Sequence, residues 1–270
     1  MNASHWAVVA LASVIGSLSQ GATGFGSAMV AIPIMLWGGL TLPAAIAVNT
    51  AIMTLQGATS CWEHRATIPW SDTKAMVALR IASVPVGVLA LASMQSWGPV
   101  LVKQIVGVTL LATLVFLVAF KVRPVPHVSP IWTAVAGSAS GFLQGAVGIG
   151  GPPLVTWTLL HDWEPARTRG FLWATSLQMV PVSLLLLVWQ FGSPVLWFFL
   201  AGIVAFPGVA LGNRWGVRLG DTFSRPVLRR VTYGLLAFTA TVSIAAPWLK
   251  RTPESSTTTT EVSLHAVHRN

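Results

Sequence analysis

The sequence predicts an all-α polytopic membrane protein made of two inverted repeats, each a Gly-rich re-entrant helical hairpin followed by three transmembrane helices. Three observations carry that prediction. Of 270 residues, 54% are hydrophobic and only 9% charged, whereas soluble domains hold about 25% charged residues; the mean hydropathy is +0.71. Apolar segments near the length of a bilayer crossing follow one another along the chain. A Gln- and Gly-rich stretch occurs twice, as Gln20-Gly21-Ala22-Thr23-Gly24-Phe25-Gly26 and Gln144-Gly145-Ala146-Val147-Gly148-Ile149-Gly150, identical at five of seven positions.

Composition excludes a soluble enzyme. No charged residue precedes Glu63, so the start has no basic stretch of the kind that opens a cleaved signal peptide. The net charge of +9 comes from sixteen Lys and Arg set in short clusters between apolar runs. That pattern describes membrane topology and not a nucleic-acid-binding face. The lone cysteine, Cys61, rules out an intrachain disulfide and any CxxC site.

In the first set, A covers about Trp6 to Gly21, B Phe25 to Leu40, C Leu42 to Trp62, D Ala75 to Ser96 and E Val100 to Phe120. In the second, A′ covers about Ile131 to Gly145, B′ Ile149 to Leu160, C′ Phe171 to Phe191, D′ Val195 to Asn213 and E′ Val231 to Trp248. B′ would extend only about 18 Å as a helix against a hydrocarbon core of about 30 Å, so it cannot cross alone. Gly-rich bends join A to B and A′ to B′, and non-helical backbone at membrane depth requires protein or a water-filled cavity around it. Each A/B pair is therefore read as a hairpin. C, D and E are read as crossings. This divides the chain into repeat 1 at 1–121, a cytoplasmic linker at 122–130, repeat 2 at 131–249 and a disordered tail at 250–270, whose Thr257–Thr260 run buries too little to order itself.

Basic residues orient the arrangement. With hairpins, the C/D loop (Arg65, Lys74), the linker (Lys121, Arg123), the B′/C′ loop (Arg167, Arg169) and the D′/E′ loop (Arg214, Arg218, Arg225, Arg229, Arg230) all lie on one side. By the positive-inside rule that side is the cytoplasm, and both termini face the periplasm. The alternative is eight to ten full crossings. Trp residues such as Trp6, Trp62, Trp157, Trp163 and Trp197 sit near segment ends, as an aromatic belt would.

The paired motifs Gly21-x-x-Gly24-x-Gly26, followed by Pro33, and GFLQGAVGIGGPPLV (Gly141 to Val155) resemble the signature of the sulfite exporter TauE/SafE family of bacterial membrane transporters, also called the toluene-sulfonate uptake permease family. The resemblance covers about residues 5 to 248. It implies transport of a small anion, often a sulfur oxyanion or an organosulfonate, across the inner membrane.

The residues lead to a compatible chemistry on their own. Glycines at Gly21, Gly24, Gly26, Gly145, Gly148, Gly150 and Gly151 let the backbone turn and approach a ligand closely. B and B′ start directly after the bends, so free N–H groups and positive dipole ends would point there, which makes an anion site. Close helix packing through small residues is the competing account of these glycines. On the site reading, Gly148→Leu fills the binding space while the protein still folds. Gln20, Ser27, Asn49 and Thr50 in repeat 1, and Gln144, Thr175 and Ser176 in repeat 2, are the polar candidates for lining it. Arg80, one turn inside D from Lys74, is either a side chain snorkelling to the cytoplasmic surface or a gate that recruits anions.

None of the seven acids lies inside an apolar segment, which argues against proton coupling through a buried carboxylate. His161-Asp162 reads as a solvated loop pair, and no P-loop, HExxH or Ser/His/Asp set is present. The chain is thus read as a non-enzyme without cofactor or metal, whose partners are a small anion and membrane lipid, with homo-oligomerisation left open. The expected activity is secondary transport by alternating access. The alternatives are an anion channel, a carrier of small carboxylates, or a non-transporting membrane subunit.

Overall fold

The computed structural model describes residues 2–119, 124–223 and 225–249. The tail at 250–270 lies outside these residues, as do Lys121 and Arg123 of the linker. The described chain forms eleven α-helices and one 3-10 turn: α1 Ala3–Thr23, α2 Ser27–Trp37, α3 Leu42–His64, α4 Trp70–Met94, the turn Gln95–Trp97, α5 Gly98–Ala119, α6 Pro130–Val147, α7 Gly151–Leu159, α8 Pro165–Phe191, α9 Pro194–Val204, α10 Phe206–Thr222 and α11 Arg225–Leu249. It is an all-α polytopic membrane protein. Helices α1 and α8, and the continuous helical stretch Trp70–Ala119, are long and apolar enough to span. That stretch, 50 residues, would extend about 75 Å, enough for two passes.

Local chemistry sets the boundaries. Asn2 caps α1 by accepting a hydrogen bond from the His5 amide (3.0 Å), and Ser129 caps α6 through the Ile131 amide (3.3 Å). Both helices end on a left-handed glycine, Gly24 (φ 81°) and Gly148 (φ 75°), a conformation that favours residues without a Cβ. The chain then reverses. Gly38 at the end of α2 packs on Val8 near the start of α1, and Trp157 of α7 donates from Nε1 to the Thr133 hydroxyl of α6 (3.0 Å). Each bend is therefore the tip of a hairpin with a long and a short arm. The short arms, of 11 and 9 residues, reach only about 17 and 13 Å.

The two mouths lie at different places along α3. The first adjoins its start, at Leu40 to Leu42. At the other end, the α3–α4 loop meets the start of α8 through Thr67 and the Ala166 carbonyl (3.5 Å), and the first turn of α4 meets it through the Asp72–Arg167 ion pair (3.9 Å). The second hairpin opens beside them, where the Val125 amide donates to the Leu160 carbonyl (2.9 Å).

Packing between the halves is reciprocal. α1 lies along α10 and α6 along α4; α3 meets α8 and α9, as α8 meets α3 and α4; α5 pairs with α11. One apolar core draws on both halves, from Val9, Ile32 and Ile46 to Val147, Ile149 and Leu187. Large apolar side chains such as Ile131, Leu185 and Trp197 face outward, where a lipid phase would cover them.

Four expectations change. D′ is not one continuous helix but two, α9 and α10, bent by 55° at a break and together long and apolar enough for one span, with Pro207 opening α10. The helices also run beyond the apolar segments, since helix formation needs no apolarity once an amphipathic face is packed. Arg214 and Arg218 are therefore exposed on α10, and Arg167 and Arg169 lie in the first turns of α8; only residues 223–224 separate α10 from α11. Trp157 is a core residue, 3% exposed, and not part of a belt. His161 is not a free loop side chain either, because its ring lies 4.1 Å from that of Trp157 and 4.4 Å from that of Trp163.

Close backbone approach accounts for two of the motif glycines. A Cβ at Gly21 would lie 2.7 Å from the Asn213 carbonyl oxygen of α10. One at Gly145 would strike the Val84 carbonyl oxygen and lie 2.8 Å from the Val88 amide of α4. Gly145→Val is expected to cost about 1–3 kcal/mol or more through overpacking against backbone that cannot yield. Melting temperature measures that loss, and anion affinity of the folded fraction should stay near that of the parent.

Candidate functional site

The two hairpin tips meet at one cavity of about 50 Å³, and both halves line it. From the first half come Gln20, Gly24, Gly26, Ser27, Asn49, Thr50 and Arg80; from the second, Gln144, Gly148, Gly150, Gly151 and Ser176. Of the residues singled out in the sequence, Gly21, Gly145 and Thr175 are not brought there. The two glycines serve the helix crossings described above. Thr175 is fully buried, and its hydroxyl donates back to the carbonyls of Phe171 (2.8 Å) and Leu172 (3.1 Å), the usual arrangement for a threonine inside a helix.

Short-range bonds hold each tip in shape. The Gly24 amide donates to the Gln20 carbonyl (2.7 Å) and the Gly148 amide to the Gln144 carbonyl (3.1 Å), so the repeated glutamine plays the same backbone part twice. The Gln20 side chain also accepts from the Ser27 amide (3.3 Å), joining the end of α1 to the start of α2. Ser27 donates to Asn49 Oδ1 (2.9 Å), which leaves the Asn49 amide nitrogen as a donor. In the second tip Ser140 donates to the Gly150 carbonyl (2.6 Å).

Both short helices start at the cavity. Neither N-terminus has a side-chain cap bond from its N-cap glycine, so their first N–H groups have no intrahelical partner. The two are unequal. Pro152 and Pro153 remove two such groups from α7, since proline has no N–H, whereas α2 keeps the amides of Ala28 and Met29.

Arg80 departs furthest from expectation. It does not snorkel: it is 2% exposed and lines the cavity. Its Nη1 donates to the Thr175 carbonyl (2.9 Å), while its Nε has no hydrogen-bond partner. Among the described residues no carboxylate lines the cavity. A buried charge is costly unless paired, so the guanidinium and the two helix ends together make a site short of one negative charge.

The sequence reading did not find the remaining wall. Ser183 lines the cavity with a hydroxyl that has no partner; it follows Ser176 by seven residues, the spacing of one helix face. Met29, Met53 and Met179 supply polarisable apolar surface. Their positions in continuous apolar runs look like core.

The sequence model of the sulfite exporter TauE/SafE family matches residues 9–242. The chain is 28% identical over 223 residues to a protein of Cupriavidus necator named "Probable sulfite/organosulfonate exporter TauE", an overlap covering 82% of this chain and 86% of that one. No solved structure matches significantly.

Proposed function

The chain belongs to the sulfite exporter TauE/SafE family, and from that premise we propose that it is a secondary transporter of a small anion, a sulfur oxyanion or an organosulfonate such as sulfite or sulfoacetate, in the bacterial inner membrane. The observation that carries this reading is Arg80, buried in a cavity between two helix N-termini with no carboxylate beside it among the described residues. An oxyanion supplies the missing charge. Its oxygens accept from the free Arg80 Nε, the α2 amides and the side chains of Asn49, Gln144, Ser176 and Ser183, each charge-assisted bond being roughly twice as strong as a neutral one. The Gln20 and Gln144 backbones, with Gly24, Gly26, Gly148 and Gly150, keep the two tips open around the ion.

Alternating access follows from the arrangement of the halves. Discontinuous helices meeting at the interface of inverted repeats hold the substrate in several carriers. The hairpin closures at Val8–Gly38 and Thr133–Trp157 support reading both hairpins as re-entrant. Mouths at opposite ends of α3 support the inversion. Rocking one half against the other would expose the ion to each side in turn. Proteoliposomes loaded with sulfite test the mechanism: external sulfite should accelerate efflux of the labelled internal anion. A channel gives no such acceleration, and efflux independent of the trans ion would end the carrier reading.

Basic residues at the α3–α4 loop and the start of α8 support placing that end in the cytoplasm. In a variant lacking Cys61, a thiol at Ser96 should react with an impermeant maleimide in intact cells, and one at Phe223 only after permeabilisation. The reverse pattern would invert the topology.

A further inference from the structure

A second polar cluster lies away from the anion cavity, where α1, α3 and α10 meet. Gln56 of α3 is 1% exposed. Its Nε2 donates to the Ser17 carbonyl of α1 (3.1 Å) and to Asn213 Oδ1 of α10 (2.9 Å). Its Oε1 has no partner, and neither do the hydroxyls of Ser13 and Ser17, both fully buried and one turn apart on α1. Three unsatisfied polar atoms on adjoining elements in an apolar protein call for an occupant.

The molecule contains its own control. At the spacing of the repeated motif, Ser13, Ser17 and Gln56 correspond to Gly137, Gly141 and Val180. Asn213 corresponds to Val84, because Gly21 abuts the carbonyl of the one as Gly145 abuts that of the other. None of those four counterparts carries a side-chain polar atom. The crossing of α6, α4 and α8 is thus built without the polar set, so helix packing does not explain it.

We propose that this junction binds a monovalent cation, sodium, on neutral oxygens. Turning the Gln56 amide over places Oε1 where Nε2 now stands, 3.1 and 2.9 Å from two other oxygens. With the Asn213 amide as it stands and no N–H among them, three oxygens so close repel one another unless a cation lies between them. The Ser13 and Ser17 hydroxyls provide further oxygen ligands. The four side chains are neutral, which suits a singly charged ion and not calcium or magnesium, whose sites rely on carboxylates. Ser17 lies less than one turn before Gln20, so the ion would brace α1 against α10 beside the tip of the first hairpin. The site stands apart from the anion reading and does not depend on it.

The test is the melting temperature of the detergent-purified full chain in sodium, potassium or choline chloride at equal ionic strength. Sodium at about ten times its Kd should raise the temperature saturably, by about 3–6 °C, with no comparable rise in potassium or choline. Ser17→Gly and Asn213→Val, which install the residues of the other half, should abolish the sodium-specific rise while remaining monodisperse. A junction filled only by water predicts no difference among the three salts in the parent protein, and that result overturns the proposal. So does a sodium-specific rise that survives in both variants.

Discussion

Arg80→Met is expected to abolish anion-dependent stabilisation and, at the same time, to raise the melting temperature of the ligand-free protein. The two signs have one cause. In the empty cavity the guanidinium is buried with one bond to the Thr175 carbonyl and an unpartnered Nε, so its desolvation is poorly compensated. Replacing a buried ion pair with apolar residues of similar volume is often neutral or stabilising by about 1–4 kcal/mol, and an unpaired guanidinium has still less to offset its desolvation. With the anion present, the same substitution removes the countercharge and at least one charge-assisted hydrogen bond. That loss weakens binding by about 3 kcal/mol, or at least ~100-fold in Kd. Arg80→Lys keeps the charge but loses the planar fork, so its affinity should fall between the two. Thermal melts with and without sulfite, paired with binding isotherms, read both signs. Unchanged affinity in Arg80→Met would remove the guanidinium from the site.

Gly151→Leu and Gly148→Leu are expected to fail in opposite ways, although the sequence makes them near neighbours in one motif. Gly151 has ordinary backbone geometry, and a Cβ there meets nothing closer than Phe25 Cβ at 4.0 Å. Its side chain would grow into cavity space. Gly151→Leu should therefore fold with a melting temperature at or above that of the parent, helped by the better helix propensity of leucine, yet bind no anion. Gly148 has φ 75°, and its Cβ would lie 2.6 Å from Ile32 Cδ1 and 2.9 Å from Ile46 Cγ1. The substitution there forces a left-handed conformation costing about 1–2 kcal/mol and overpacks the core as well. The expectation that Gly148→Leu would fold and merely block the site is corrected by this geometry. Normal anion affinity in folded Gly151→Leu would show that the hairpin tip does not hold the substrate.

The sequence alone established the features that depend on composition and local backbone chemistry. Sparse charge and continuous apolar runs required a membrane protein. Two copies of Gln-Gly-Ala-x-Gly-x-Gly required a duplicated bend, because left-handed turns favour glycine wherever they occur, and both copies do end a helix, at Gly24 and Gly148 rather than at Gly21 and Gly145 where the apolar segments stop. The residues that close those bends, Gln20 with Ser27 and Gln144 with Gly148, interact within ten positions, and short separations are what a sequence motif can encode.

What tertiary structure decided depends on distant helices meeting. Gly21 and Gly24 look alike in the motif, yet Gly21 lies inside α1 and abuts α10, while Gly24 ends the helix with φ 81° and lines the cavity; the close approach at Gly21 depends on where α10 lies. The direction taken by Arg80 depends on α8 presenting the Thr175 carbonyl 95 residues away; with no such acceptor, a long cationic side chain one turn inside a membrane helix reaches for water. Ser183 and the three methionines look like core until both hairpin tips stand opposite them. The cluster at Gln56 exists only because α1, α3 and α10 cross at one point, where a buried amide must find partners or bind an ion.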